Sequence, residues 1–316
     1  MLSRTAENLY WMTRYMERAE TMARLLEVGF RISLMPNAGQ GHRSDWASIL
    51  ISSGMRDSYN EKYKEVTQVY VEDFLFFDTD NPSSVVNCIE RARTNGRTVR
   101  TALTREVWDA LNGAFQELKT LSNSRNRSAD VLMLCDWTKR QAALLRGAIE
   151  STQLRQDGYD FMNLGYYLER ADNTARMLDV KYYVLLPTTD RVGGSTDNYQ
   201  WMTLLRSLSA FRSFHWAYGG DYDPQKIAHF LILNAANPRS LLQCREEANY
   251  HLNRLARAYG QKTGAQTFAR SQLERLAEAK IQDIMADGLH EFLTEFIFDN
   301  ANLAQSVADS YMFGPK

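Results

Sequence analysis

The sequence predicts an all-α protein, a helical bundle built from two tandem copies of one multi-helix unit and packed as a single compact body. Three observations carry this reading. Only six prolines occur in 316 residues, at 36, 82, 187, 224, 238 and 315, and an internal proline breaks a helix by removing a hydrogen bond and crowding the preceding turn. Between them, apolar residues recur three and four apart over long tracts, without the sustained alternation of a half-buried strand. One stretch of the first tract recurs at a shift of 152 residues.

The first helix is expected from Thr5 to Leu34, because Leu9, Met12, Met16, Ala19, Ala23, Leu26 and Phe30 share one face and Pro36 disfavours helix in the residue before it. A breaker-rich loop, 37–42, follows. Apolar spacing then predicts helices over 44–57, 60–77, 82–103, 105–122, 129–152 and 158–185. A second loop is read at 186–196, where Pro187, Gly193 and Gly194 cluster, and such residues favour turns over regular structure. Helices over 198–218, 224–233, 238–260, 264–287 and 288–311 complete the chain.

Tyr15 to Val28 overlays Tyr167 to Val180 with eight identities in fourteen pairs. The shared core is Glu17-Arg18-Ala19-Glu20 with Ala23-Arg24, against Glu169-Arg170-Ala171-Asp172 with Ala175-Arg176. A second block, Phe74-Leu75 through Asn81-Pro82 to Cys88, matches Phe230-Leu231 through Asn237-Pro238 to Cys244 at a shift of 156, and Trp46 and Trp201 lie 155 apart. Collinear matches at nearly constant spacing define units 1–155 and 156–316. Two long unit-starting helices packed about a pseudo-twofold axis would join them into one body.

Composition is that of a globular chain: 44% apolar and 24% charged residues, with a net charge of −1. No global electrostatic footprint points to nucleic acid or an anionic membrane. The longest stretch without Asp, Glu, Lys or Arg, Ile227 to Pro238, falls well short of a membrane span. The opening Met1 to Glu7 does not resemble a secretory leader. Cys88, Cys135 and Cys244 are odd in number and lack a C-x-x-C pair, which argues against a disulfide framework or closed zinc site. A cytoplasmic setting is expected.

Along the first helix Tyr10, Arg14, Glu17, Thr21 and Arg24 form one stripe, with Trp11, Tyr15, Arg18, Met22 and Leu25 beside it; Tyr166, Glu169, Asn173 and Arg176 and then Tyr167, Arg170, Thr174 and Met177 repeat the arrangement. Charged groups flanked by aromatic rings imply partial burial, where each must find a partner. One reading is architectural, with Glu17, Arg18, Glu169 and Arg170 as an ion-pair lattice joining two helices. The other is functional: Glu17 and Glu169 act as base or ligand, while Arg14, Arg18, Arg24, Arg170 and Arg176 clamp a carboxylate between walls that include Tyr10, Trp11, Tyr15 and Tyr167. Glu20 with Arg24, and Asp172 with Arg176, read as surface pairs. Asn81-Pro82 and Asn237-Pro238 read as N-cap and first helical residue, with Arg239 and Ser240 as an alternative anion site. No histidine has Glu three residues before it, and no phosphate-binding glycine motif occurs, so neither a metal nor another cofactor is expected.

The opening Leu2-Ser3-Arg4-Thr5-Ala6-Glu7-Asn8-Leu9-Tyr10-Trp11-Met12, with Arg14-Tyr15, Glu17-Arg18-Ala19-Glu20 and Ala23-Arg24, resembles the amino-terminal signature of the bacterial alpha-E family. Asn237-Pro238-Arg239-Ser240 adds to the resemblance, which spans the chain and includes two Glu-Arg dipeptides. Thr13 stands where a glycine is expected, and Gly165 keeps it in the second copy, which implies a looser approach at the first helix. The family resemblance implies companionship with circularly permuted ATP-grasp proteins and transglutaminase-like peptidases, in a role around amide-bond metabolism. An accessory subunit binding the ligase or its peptide product is the favoured expectation. The alternative is an enzyme acting on a peptide or amino-acid derivative in a Glu/Arg-lined pocket. Closed mutual pairing of the Glu and Arg groups would favour the first, and a solvent-connected pocket the second.

Overall fold

A computed structural model describes residues 1–34, 42–123, 131–185 and 195–314. Within them run α1 (Ser3–Ser33), α2 (His42–Ser52), α3 (Arg56–Lys62), α4 (Gln68–Glu72), α5 (Val85–Thr98), α6 (Arg105–Asn123), α7 (Val131–Thr152) and α8 (Asp157–Leu185). Then come α9 (Ser195–Ser207), α10 (Phe211–Tyr218), α11 (Pro224–Ile232), α12 (Leu241–Tyr259), α13 (Gly264–Glu278), α14 (Ile281–Asp287) and α15 (Leu289–Ser310). No strand occurs among the described residues. The expected loops 37–42 and 186–196 lie outside those residues except at their ends, where His42, Ser195 and Thr196 already belong to helices.

Helices α1 and α8 occupy the centre. Buried positions lie on every side of α1, including Leu9, Met12, Glu17, Ala19, Glu20 and Ala23, as expected of a helix surrounded by others rather than resting on a surface. Helix α1 packs against α5, α7 and α8, and α8 against α12 and α15. Helix α6 covers α5 and α7, while α13 covers α12 and α15. Helix α2 rests on α8 and α9 on α1, so the expected units 1–155 and 156–316 interleave. One apolar core takes Leu26, Phe74 and Ile89 together with Leu178, Phe214 and Leu231.

The central helices run in the same direction, since Leu9 lies beside Gly158, Tyr10 beside Gly165, and Glu17 beside Arg170 and Asn173. They approach so closely that a Cβ on Gly165 would stand 2.2 Å from the Tyr10 carbonyl oxygen. The looser approach expected from Thr13 is not found. Its hydroxyl donates to the Met162 carbonyl at 2.6 Å, satisfying in the interior the polar atom that a glycine would lack.

Several expected helices are interrupted. The 60–77 tract breaks at Tyr63, where the backbone is extended, and restarts at Thr67, whose side chain accepts from the Tyr70 amide. The 198–218 tract breaks at Ser209, which has φ +56°, a left-handed conformation that ends a helix. The 264–287 tract breaks at Ala279 and Lys280, both extended. The Asn-Pro segments do not cap helices directly. Ser84 and Ser240 are the N-caps, accepting from the Asn87 and Gln243 amides. Asn81 and Asn237 instead close the preceding turn, their Oδ1 accepting from the amides of Ser83 and Arg239, and their Nδ2 donating to the Phe74 and Phe230 carbonyls at 2.9 Å.

Gly165→Ala should destabilise the protein by about 2–3 kcal/mol, because two backbones must part to admit a methyl group. Gly113→Ala, within α6 and with nothing inside 4 Å, should be neutral or stabilising by up to about 1 kcal/mol. Urea denaturation compares the two, and a loss below about 0.5 kcal/mol for Gly165→Ala would deny the close approach.

Candidate functional site

Parallel packing of α1 and α8 brings each Glu-Arg dipeptide onto the other. Arg18 grips Glu169 with Nε and Nη2 at 2.6 and 3.1 Å; Arg170 grips Glu17 the same way at 2.9 and 3.3 Å. Both carboxylates are 2% exposed. Each also receives a second guanidinium, Arg14 at 2.8 Å on Glu169 and Arg239 at 3.4 Å on Glu17. Isolated buried carboxylates would be strongly disfavoured, so the paired, bidentate geometry is what makes this burial tolerable.

Around Glu169 the expected residues assemble as one cluster. Arg14 lies over the Trp11 ring, 4.7 Å from its centroid, and donates to the Tyr10 hydroxyl at 3.0 Å. Tyr15 packs on Trp11 and accepts from Arg91 at 3.5 Å. Arg176 pairs with Asp172 at 2.6 Å. Burial works against the Glu169 charge, but Arg18 and Arg14 outweigh it and hold the carboxyl at about 2, below its ordinary 4.5.

Around Glu17 the second cluster differs. Glu20 and Arg24, expected at the surface, are each 5% exposed, because the turn before α12 and the end of α9 cover them. Glu20 Oε1 accepts from Arg24 Nε at 2.9 Å and from Arg239 Nη2 at 2.5 Å, and Arg24 also donates to the Ser207 carbonyl and the Ser209 hydroxyl. Burial opposes the Glu20 charge, yet Arg239 and Arg24 hold its carboxyl well below the usual range. Burial and the like charge of Arg239 press the Arg24 guanidinium below its ordinary value. Arg239 therefore belongs to the lattice, while the Ser240 hydroxyl is taken up in capping α12. Arg239 and Ser240, expected as an alternative anion site, thus stand at one side of the second cluster. Tyr167 turns aside, accepting from Arg146 at 3.2 Å and stacking on His251.

The second cluster floors an open cleft of about 640 Å³ whose far wall is α7, with Lys139, Arg140 and Arg146 on its lining. Sequence reasoning missed this wall. The three cations lie within two turns of one helix, a signal that marks a charged face but names no neighbour. Arg146 and Arg170 both lie against Tyr166, 3.9 and 4.2 Å from its ring centroid. A third polar group elsewhere, also unforeseen, joins His251 to Asp160 at 2.8 Å, with Arg254 on the same oxygen. Among the described residues no group of three or more His, Cys, Asp or Glu side chains is placed to hold a metal ion, and no helix is long and apolar enough to cross a membrane.

A carboxyl held near 2 stabilises the fold fully above its unfolded value near 4.5, and that stability is lost as pH falls from there toward 2. Wild-type unfolding free energy should therefore fall by a few kcal/mol between about pH 5 and 2.5, and Glu169→Gln should flatten the decline while lowering stability at neutral pH. An unchanged acid slope in the variant would mean that Glu169 is not held ionised by its arginines.

Residues 1–312 match the Alpha-E family, described as a predicted alpha-helical domain with a conserved ER motif. Relatives include uncharacterized proteins of Mycobacterium bovis and of two strains of Mycobacterium tuberculosis, each 23% identical over 97% of this chain and 36% of the relative. The chain thus spans about a third of the length of the curated relatives it matches. No solved structure matches it. With a family match over nearly every residue and two reciprocal Glu-Arg pairs at its centre, the chain belongs to the Alpha-E family.

Proposed function

We propose that this protein is an accessory helical subunit of an ATP-grasp-linked system that makes or modifies peptide or amide bonds, binding the ligase or its peptide product rather than performing the chemistry. The observation that carries the reading is the saturation of Glu17 and Glu169, each buried and held by two guanidiniums. A general base works best with a pKa near the operating pH, and Glu169 is held far below it. The ATP-grasp partner, and a transglutaminase-like peptidase beside it, rest on family resemblance; the greater length of the relatives is compatible with a unit that works alongside others.

We further read the chain as two copies of one helical unit. The equal bonds made by Asn81 and Asn237 and the reciprocal Glu-Arg pairs support this. A cytoplasmic setting is part of the same proposal, supported by three buried free cysteines.

Co-purification with a circularly permuted ATP-grasp protein, followed by ATP-dependent ligation with and without this chain, tests the proposal. A stable complex and at least a fivefold change in ligation rate or product length are expected. Absence of a complex, or turnover of an amide substrate by this chain alone that is lost in a folded Glu17→Gln variant, would contradict it.

A further inference from the structure

The cleft beside Glu17 holds more positive charge than the protein itself compensates. On its floor Arg24, Arg170 and Arg239 share two carboxylates, Glu17 and Glu20. On its wall Lys139 is held by Glu27 and Asp136, and Arg146 by Glu150. Glu27 also meets Arg31. Arg140 is exposed, and no ion pair to it occurs among the described residues. One surplus cation therefore remains on the floor and another on the wall.

The two surplus charges lie on two sides of one open cleft, Arg140 on the α7 wall and Arg24, Arg170 and Arg239 on the floor. The wall cations from Lys139 to Arg146 extend about 10 Å along α7, at about 1.5 Å per residue, and small side chains at Ala142, Ala143 and Gly147 leave the space between wall and floor open. A ligand carrying two anionic groups would give each surplus charge a partner of its own. The floor arginines already show the contact they favour, since Arg170 meets Glu17 through Nε and Nη2 together. That side-on fork matches the planar carboxylate. Base stacking is not provided for, because Tyr166 on the lining already lies against two guanidiniums, and aromatic platforms are what single-stranded nucleic acids require.

We propose that this cleft binds a ligand with two carboxylates a few ångströms apart, as in a glutamate or aspartate with a free α-carboxylate, either alone or at the end of a peptide. One carboxylate lies over Arg239, and the other meets Arg140. The site does not depend on an ATP-grasp partner, and it stands or falls separately from the accessory role.

Isothermal titration of the full chain provides the test, with L-glutamate, the peptide Ala-Ala-Glu, its C-terminal amide and inorganic phosphate as probes at low and moderate salt. Saturable binding of glutamate or the free-acid peptide is expected, weakening at least tenfold on amidation and at least fivefold in moderate salt. Tighter binding of the peptide assigns a peptide terminus, and tighter binding of glutamate assigns the free amino acid. Arg140→Glu, at an exposed position, should keep the wild-type melting temperature and lose at least tenfold in affinity. Arg239→Lys, which keeps the charge and removes the fork, should also weaken binding if its circular dichroism is native. No saturable binding of either dicarboxylate, phosphate binding tighter than both, equal binding of the amide, or unchanged affinity in Arg140→Glu would overturn the proposal.

Discussion

The reciprocal clasp between Glu17-Arg18 and Glu169-Arg170 is the constraint on which the rest of the structure depends. Four charged side chains leave bulk water at the meeting of the two longest helices, and such burial is tolerable only when every charge meets a partner in good geometry. Arg18 and Arg170 meet their partners side-on, and Arg14 and Arg239 add a second donor to each carboxylate. A shift of one residue along either helix would turn these groups away from one another by about 100°. Hydrophobic contact alone tolerates such slippage far better, because it is non-directional. The charges therefore fix the register of α1 on α8, and Gly165 and Thr13 are the positions that let the backbones come close enough.

The two clusters are similar in plan and differ in where the second guanidinium comes from. Glu169 receives its second guanidinium from Arg14 on α1, whereas Glu17 receives it from Arg239 in the turn before α12. The turn before α5 has Ser83 where the turn before α12 has Arg239, although asparagine closes both turns with the same bonds. Arg239 also reaches Glu20, and α7 supplies a cationic wall facing it.

Much of this was legible in the sequence. Apolar spacing and scarce prolines gave the helical class, and the doubled Glu-Arg dipeptides pointed to a charge lattice between two helices. Failures occurred where tertiary context outweighs local pattern. Glu20 and Arg24 look like a surface pair because four-residue spacing is the same whether a neighbour covers it or not; α9 and the Arg239 turn cover it here. The break at Ser209 is hidden because serine is not a residue that announces a left-handed backbone, and its hydroxyl accepts from Arg24. Asn-Pro resembles a cap locally, but the asparagine is drawn back to a carbonyl seven residues earlier. The cleft needs α7 placed against α1 and α8, a long-range relation that no spacing within one helix contains.

A double-mutant cycle on Glu17 and Arg170 tests the central claim most directly. Unfolding free energies of wild type, Glu17→Gln, Arg170→Met and the double variant would be measured in urea at neutral pH. Each single change should cost about 3–5 kcal/mol by leaving a buried group without its partner, and the double variant should recover much of that loss, giving a coupling of about 2–3 kcal/mol. A coupling below about 0.5 kcal/mol, with additive losses, would mean that the two side chains contribute independently and that the register of α1 on α8 is set by packing alone.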